Sequence, residues 1–224
     1  MHKLRLAPGR EARLKRGHLW VYRGEIREID QLLEPGPVIV EDYRGSFLGI
    51  GDYSPYSQIA VRILTRKKEE IDREFFRRRM EEAGKMRKCL FPDESSYRLI
   101  YGEGDLIPGL IVDRFGAYLV VQILTASMEA RREEILDLLE ELFKPEGIME
   151  RDDVPSRQLE RLELRAGPVR GKVPDYTVIK ENNLYFHINL LSGEKTGYFL
   201  DQKTNRRAVQ KYAAGRTVLD MFCH

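Results

Sequence analysis

The chain has 224 residues, 42% of them hydrophobic and 33% charged. That balance is the profile of a soluble globular protein and not of a chain disordered throughout, and no apolar run approaches the roughly 20 residues needed to cross a bilayer. The net charge of +2, from 38 basic and 36 acidic residues, does not announce nucleic-acid binding. The two cysteines, Cys89 and Cys223, lie far apart and give neither a disulfide framework nor a metal-ligand spacing, so a reducing, cytoplasmic setting is expected.

In chain order, residues 1–23 come first and carry the charge unevenly. Lys3, Arg5, Arg10, Arg13, Lys15, Arg16 and Arg23 stand against a single acid, Glu11. Such a basic start reads as a phosphate-contacting edge or as a solvated face. Short runs with β character follow: Val38 to Val40, Phe47 to Tyr53 and Ile59 to Leu64, separated by Gly, Pro, Asp and Ser turns. Evenly spaced short strands of this kind predict a small β-barrel. Trp20, the one tryptophan, either fills its core or stacks on a base. From Arg66 to Lys88 the apolar residues Ile71, Phe75, Phe76, Met80, Ala83 and Met86 recur at helical spacing, predicting an amphipathic connecting helix whose aromatic pair is core.

The next stretch predicts strands at Tyr97–Tyr101, Leu110–Arg114, Tyr118–Leu124 and Ile148–Arg151, with a helix over Met128–Phe143. The order β-β-β-α-β indicates an α+β unit with a mixed or antiparallel sheet. Beyond Asn182, Leu184–Leu190 alternates as a strand, Ser192-Gly193 reads as a turn, and Lys195–Leu200 reads as the returning strand of a hairpin. Asp201 is placed as the cap of a helix from about Gln202 to Tyr212, and Thr217–Phe222 as a buried strand. The chain is therefore expected to be an α+β multi-domain protein. Residues 1–67 form the barrel, 68–94 a linker helix and 95–181 a central α+β domain, and 182–224 are the start of a further domain.

Three segments carry a resemblance. Pro8–Ile26 with Gly51–Arg62 form the first. YRLIYGEGDLIPGLIVDRFG, Tyr97–Gly116, is the second. KTGYFLDQKTNRR, Lys195–Arg207, with VLDMFC from Val218, is the third. Together, and in this order, they resemble the RlmI-like family of class I methyltransferases. That family bears an N-terminal PUA barrel and methylates C5 of a cytosine in large-subunit ribosomal RNA. The resemblance implies S-adenosyl-L-methionine as cofactor, ribosomal RNA as partner, no membrane and a homodimer. It also implies that Val218–Phe222 is the first strand of a Rossmann-like methyltransferase domain. In the family a Thr-Gly-Gly turn follows that strand, whereas His224 is the last residue here. The chain is thus expected to be truncated and inactive alone, its tail after about Arg207 poorly ordered or held by a partner copy.

The chemistry the resemblance implies is addition of a cysteine thiolate to C6, which makes C5 nucleophilic toward the sulfonium methyl. Neither Cys89 nor Cys223 fits that role, so no catalytic residue and no metal ligand are assigned. Gln202, Asp220, Tyr198, Asp201 and Asn205 are the expected cofactor contacts, with Gln202 foremost. Asp201 has the helix cap as its competing role. Arg10, Lys15, Arg16, His18 and Arg23 on the barrel, with Lys195 and Arg206, are the expected RNA contacts. The alternative function is a standalone RNA-binding module without catalysis.

Overall fold

The structure, a computed structural model, describes residues 1–30 and 34–221. Its first unit is a six-stranded sheet. The strands are β1 (His2–Leu6), β2 (Trp20–Tyr22), β3 (Ile26–Ile29), β4 (Gly36–Glu41), β5 (Phe47–Tyr53) and β6 (Ile59–Thr65), with a short helix α1 (Glu11–Lys15) after β1. The strand order is β2-β6-β5-β4-β1-β3, and β1 runs parallel to β4. The two edge strands are joined only by a 3-10 turn over Arg23–Glu25, so the sheet curls back on itself. Leu4, Leu6, Leu14, Val21, Val38, Val40, Val61 and Ile63 fill the inside. Strands β1 to β3 give no clear signal in sequence because they are short and, in β1 and β3, interrupted by Arg, Lys or Glu.

Helix α2 (Arg73–Leu90) is the expected connector. It starts where the Asp72 carboxylate accepts the Phe75 amide, and it buries Phe75, Phe76 and Met80. The second sheet follows, with β7 (Ser96–Tyr101), β8 (Leu110–Phe115) and β9 (Tyr118–Ile123). Helices α3 (Ala126–Glu129) and α4 (Arg132–Phe143) come next, then β10 (Gly147–Arg151) and β11 (Ala166–Gly171). The order is β11-β10-β9-β8-β7, and β9 and β10 are parallel because helices cross over between them.

Both faces of this sheet are covered, which explains the near-continuous apolar run YLVVQIL at Tyr118–Leu124. Leu119, Val121 and Ile123 meet α2 and α4 on one face, with Ile135, Leu138 and Leu139. Val120, Phe115 and Met149 meet Ile179, Ile188 and Leu190 on the other. The single helix expected over Met128–Phe143 is broken at Ala130-Arg131. There the Arg131 side chain leaves the helix start to grip Asp52 of the barrel through Nη1 and Nη2 at 2.9 and 2.8 Å.

The elements covering the second face correct the expected hairpin. Strand β12 (Tyr176–Glu181) pairs with β13 (Leu184–Asn189) around Asn182-Asn183, which sit at φ +50° and +65°. Two consecutive left-handed residues make the turn whose twist matches antiparallel strands, and asparagine tolerates that conformation. The pairing spans the expected boundary at residue 181. Lys195–Leu200 is no strand: it folds as turns. Helix α5 (Lys203–Ala213) follows with Gln202 at its N-cap position. Asp201 makes no cap; it pairs with Lys195 at 3.3 Å.

Thr217–Met221 is not a strand among the described residues. Val218, Leu219 and Met221 are exposed, and no described strand lies beside them to complete a backbone ladder. The rest of that expected strand, Phe222, and Cys223 lie outside the described residues. No helix is long and apolar enough to cross a membrane among the described residues.

Candidate nucleic-acid interface

The basic start of the chain divides: Lys3 and Arg5 on β1 pair with Glu41 and Glu28, and the rest lie on α1, at its N-cap and after it. Arg10, Lys15 and Arg16 are exposed around α1, and the Lys15 ammonium lies 3.9 Å from Asp42. Beside them is an aromatic cluster. His18 lies edge-on to Trp20 at 5.8 Å and stacks on Tyr22 at 6.5 Å. Arg13, which is absent from the contacts expected on sequence grounds, sits 5.1 Å over the Tyr22 ring and pairs with Glu25 at 3.3 Å and with His18. Its sequence signal is its place in the basic run. Cations interleaved with half-buried rings are the surface chemistry that grips phosphates and stacks bases.

Two residues of this stretch are taken up elsewhere. Arg23 donates through Nη2 to the carbonyls of Ser54, Pro55 and Ser57 at 2.7–3.1 Å, so it clamps the β5–β6 loop rather than facing a phosphate. Trp20 is neither pure core nor a free platform: its indole N–H donates to Glu103 of the second unit at 2.8 Å. That contact is invisible in sequence because the two residues are far apart along the chain.

The other expected contacts lie on the far side of the second sheet. Asp113 is wholly buried and accepts a two-pronged bond from Arg98 at 2.9 Å and a bond from the Thr196 hydroxyl at 2.6 Å. Thr196 is thereby anchored, and Gly193 passes so close to Asn189 and Gly197 that any side chain there would clash. The anchored turn aims Lys195, Tyr198 and Asp201 into a groove of about 430 Å³, whose opposite wall is the end of α2 and β7: Leu90, Phe91, Tyr97 and Tyr101.

Arg206 is not on that surface as a free cation. It forks onto the buried Glu181 at 2.7 and 2.9 Å, donates to the Phe199 carbonyl and covers the Tyr198 ring at 4.3 Å. Burial pushes the Tyr198 phenol up to about 12, against the pull of the Arg206 charge.

The five residues expected to hold S-adenosylmethionine do not converge. Tyr198 and Asp201 line the groove. Gln202 and Asn205 are exposed and bonded to each other at 2.7 Å. Asp220 is exposed on the segment that forms no strand. These side chains do not by themselves fit the cofactor. No cluster of His, Cys, Asp and Glu able to hold a metal occurs among the described residues.

Residues 4–66, the first unit, match the family model of a PUA-like domain. Along 99% of its length the chain is similar to ribosomal RNA large subunit methyltransferase I. Identity is 40% to the protein of that name from Klebsiella pneumoniae and 39% to that from Escherichia coli. The chain spans 57% of the length of these relatives. Among solved structures, a putative SAM-dependent methyltransferase from Streptococcus mutans superposes with a TM-score of 0.79 at 22% identity, covering 96% of this chain and 55% of that one. A putative methyltransferase complexed with SAH superposes at 0.78 and 22% identity, covering 93% of this chain and 53% of that one. These two show that the fold is shared.

Proposed function

We propose that the chain is the RNA-binding portion of a SAM-dependent methyltransferase that modifies C5 of a cytosine in large-subunit ribosomal RNA. The observation that carries this is the 40% identity, extending over 99% of the chain, to relatives named as large-subunit ribosomal RNA methyltransferases. The surface around α1 supports it, since Arg13 lies over the Tyr22 ring of a His18–Tyr22 stack while Arg10, Lys15 and Arg16 of the same segment are exposed. In this reading residues 1–67 grip RNA, 68–94 connect, 95–181 with the hairpin form the central unit, and the segment from Lys195 leads toward the cofactor domain. The chain works in the cytoplasm, and the whole protein is a homodimer. RNA is held mainly through phosphates and shape, with unpaired bases stacked on side chains.

The test is equilibrium binding of a large-subunit ribosomal RNA fragment across a salt series. Neutralised phosphates release counterions, so log affinity falls linearly with log salt. Replacing Arg10, Lys15 and Arg16 together with Ala is expected to flatten that slope by roughly one unit for each phosphate these side chains neutralise. An unchanged slope and affinity would reduce these residues to a solvated face. Because the expected cofactor residues do not converge, the chain alone is expected to transfer no label from S-adenosylmethionine to this RNA. Label in cytosine above background would show that the described residues suffice for catalysis.

A further inference from the structure

We propose that the outer face of the β12–β13 hairpin is a platform for unpaired RNA, whose bases stack on Tyr185, His187 and Tyr176. The proposal rests on the RNA-binding reading above but on a different surface. The hairpin is covered on one side, where Ile179 and Ile188 meet Val120 and Met149. The pleat sends alternate residues the other way, so Tyr176, Val178 and Lys180 share the outer face with Tyr185, His187 and Asn189. Tyr176 is 62% exposed and Tyr185 70%, and His187 is exposed beside them. Aromatic rings standing on an open sheet face are the chemistry on which unpaired bases stack. Such stacking is sequence-tolerant because every base has a π face.

The charge of the face commits it to a polyanion. Glu181, the one acid on the two strands, points inward and is held by Arg206, so Lys180 faces out with no carboxylate partner among the described residues. Lys180 stands directly across the ladder from Tyr185. Side chains so paired are roughly 5 Å apart at Cβ, which puts the ammonium within reach of the phosphate of a base stacked on that ring. Tyr185 and His187 follow at two-residue spacing, roughly 7 Å along the strand, so successive bases can each meet a ring. Lys180 also lines a depression with Arg207, likewise without a carboxylate partner among the described residues. Of the two acids there, Asp93 and Glu94, the second is held by Lys203. A second copy fits this face poorly: two hairpins face to face would bury Lys180 against a surface that carries no carboxylate. Unpaired RNA is favoured over duplex because a duplex keeps its bases stacked on one another.

The experiment measures affinity of the full chain for an unpaired oligoribonucleotide of about ten nucleotides and for a duplex of equal length, with stacking costs as the guide. Tyr185→Ala is expected to weaken the unpaired ligand about 10-fold and to leave the duplex unchanged within about 2-fold. Tyr185→Phe, which keeps the ring, is expected to bind as wild type. Lys180→Ala is expected to flatten the slope of log affinity against log salt for the unpaired ligand by roughly 0.7. Both side chains are exposed, so the thermal melts of these variants are expected to match wild type.

If Tyr185→Ala and Lys180→Ala both bind the unpaired ligand like wild type while the Arg10, Lys15 and Arg16 variant fails to bind it, the hairpin is no RNA platform and the barrel reading survives. Equal weakening of unpaired ligand and duplex by Tyr185→Ala would overturn the stacking proposal. A wild-type chain that self-associates in sedimentation, with Tyr185→Ala monomeric and unchanged in RNA affinity, would assign the face to a second copy instead. Failure of the wild-type chain to bind either RNA would overturn both readings.

Discussion

Gly109 shows why one residue of the GEGDLIPG stretch cannot vary. It sits at φ +85°, and a Cβ there would lie 2.4 Å from the Thr125 hydroxyl oxygen and 2.7 Å from its methyl. Its carbonyl meanwhile accepts the Leu124 amide at 2.8 Å, so the loop cannot back away. Gly109→Ala combines a left-handed backbone with a clash and is expected to cost about 2–4 kcal/mol in urea unfolding. Leu106, exposed and also left-handed at φ +58°, is free of such crowding. Leu106→Gly is therefore expected to be neutral or stabilising by a few tenths of a kcal/mol. The same loop supplies Glu103 to Trp20 and Asp105 to Arg87, so its charged residues bind the protein to itself rather than to a substrate.

At the scale of elements, the β12–β13 hairpin is set by its turn. Glu181 and Leu184 pair directly around Asn182-Asn183, and the register runs unbroken to Tyr176 and Asn189. Asn183→Gly is expected to stabilise the protein by a few tenths to about 1 kcal/mol, because glycine enters the left-handed region freely. Asn182→Val, β-branched at φ +50°, is expected to cost about 1–2 kcal/mol. Thermal melts of the two variants moving in opposite directions would establish the turn; equal shifts would refute it. The signal is present in the sequence as Asn-Asn between two alternating runs, but Ser192-Gly193 competes with it as a more familiar turn. Position decides between them: Ile179 and Ile188 must reach Val120 and Met149 together, and only the earlier turn puts both on one face.

Across the whole molecule, the barrel and the second sheet are joined by charge. Arg131 forks onto Asp52, Arg62 reaches Glu160 at 3.0 Å, Ser54 also bonds Glu160, and Arg79 donates to the Leu64 carbonyl at 2.8 Å. Burial pushes the Asp52 carboxyl up, with the Arg131 cation opposing it. Arg131→Leu strands that carboxyl and is expected to cost about 3–5 kcal/mol. A carboxyl raised in the folded state holds its proton more tightly there than in the unfolded chain. Its stabilising share is complete below the unfolded value and is lost as pH rises through the folded one. Without the opposing cation the raise grows, so the variant's deficit is expected to be larger at about pH 8 than at about pH 5. A deficit independent of pH would mean that packing, not charge, holds the two units together.

What the sequence determines by itself are the features that depend on neighbours along the chain. The strands Phe47–Tyr53 and Ile59–Thr65, the helix with Phe75, Phe76 and Met80 on one face, and the basic cluster at Arg10, Lys15 and Arg16 all follow from local periodicity and charge. The tertiary structure decides which charges are free. Arg23 and Arg206 read like Arg10 and Arg16 in sequence, yet carbonyls of a distant loop and the buried Glu181 take them up. Ser96, Phe91 and Tyr101 read as ordinary strand and helix-end residues, and only the folding of Thr196 onto Asp113 makes them a groove. Pattern fixes what a residue does to its own element. Pairing across tens of residues depends on which buried polar group must be satisfied, and that is settled only when the sheets meet.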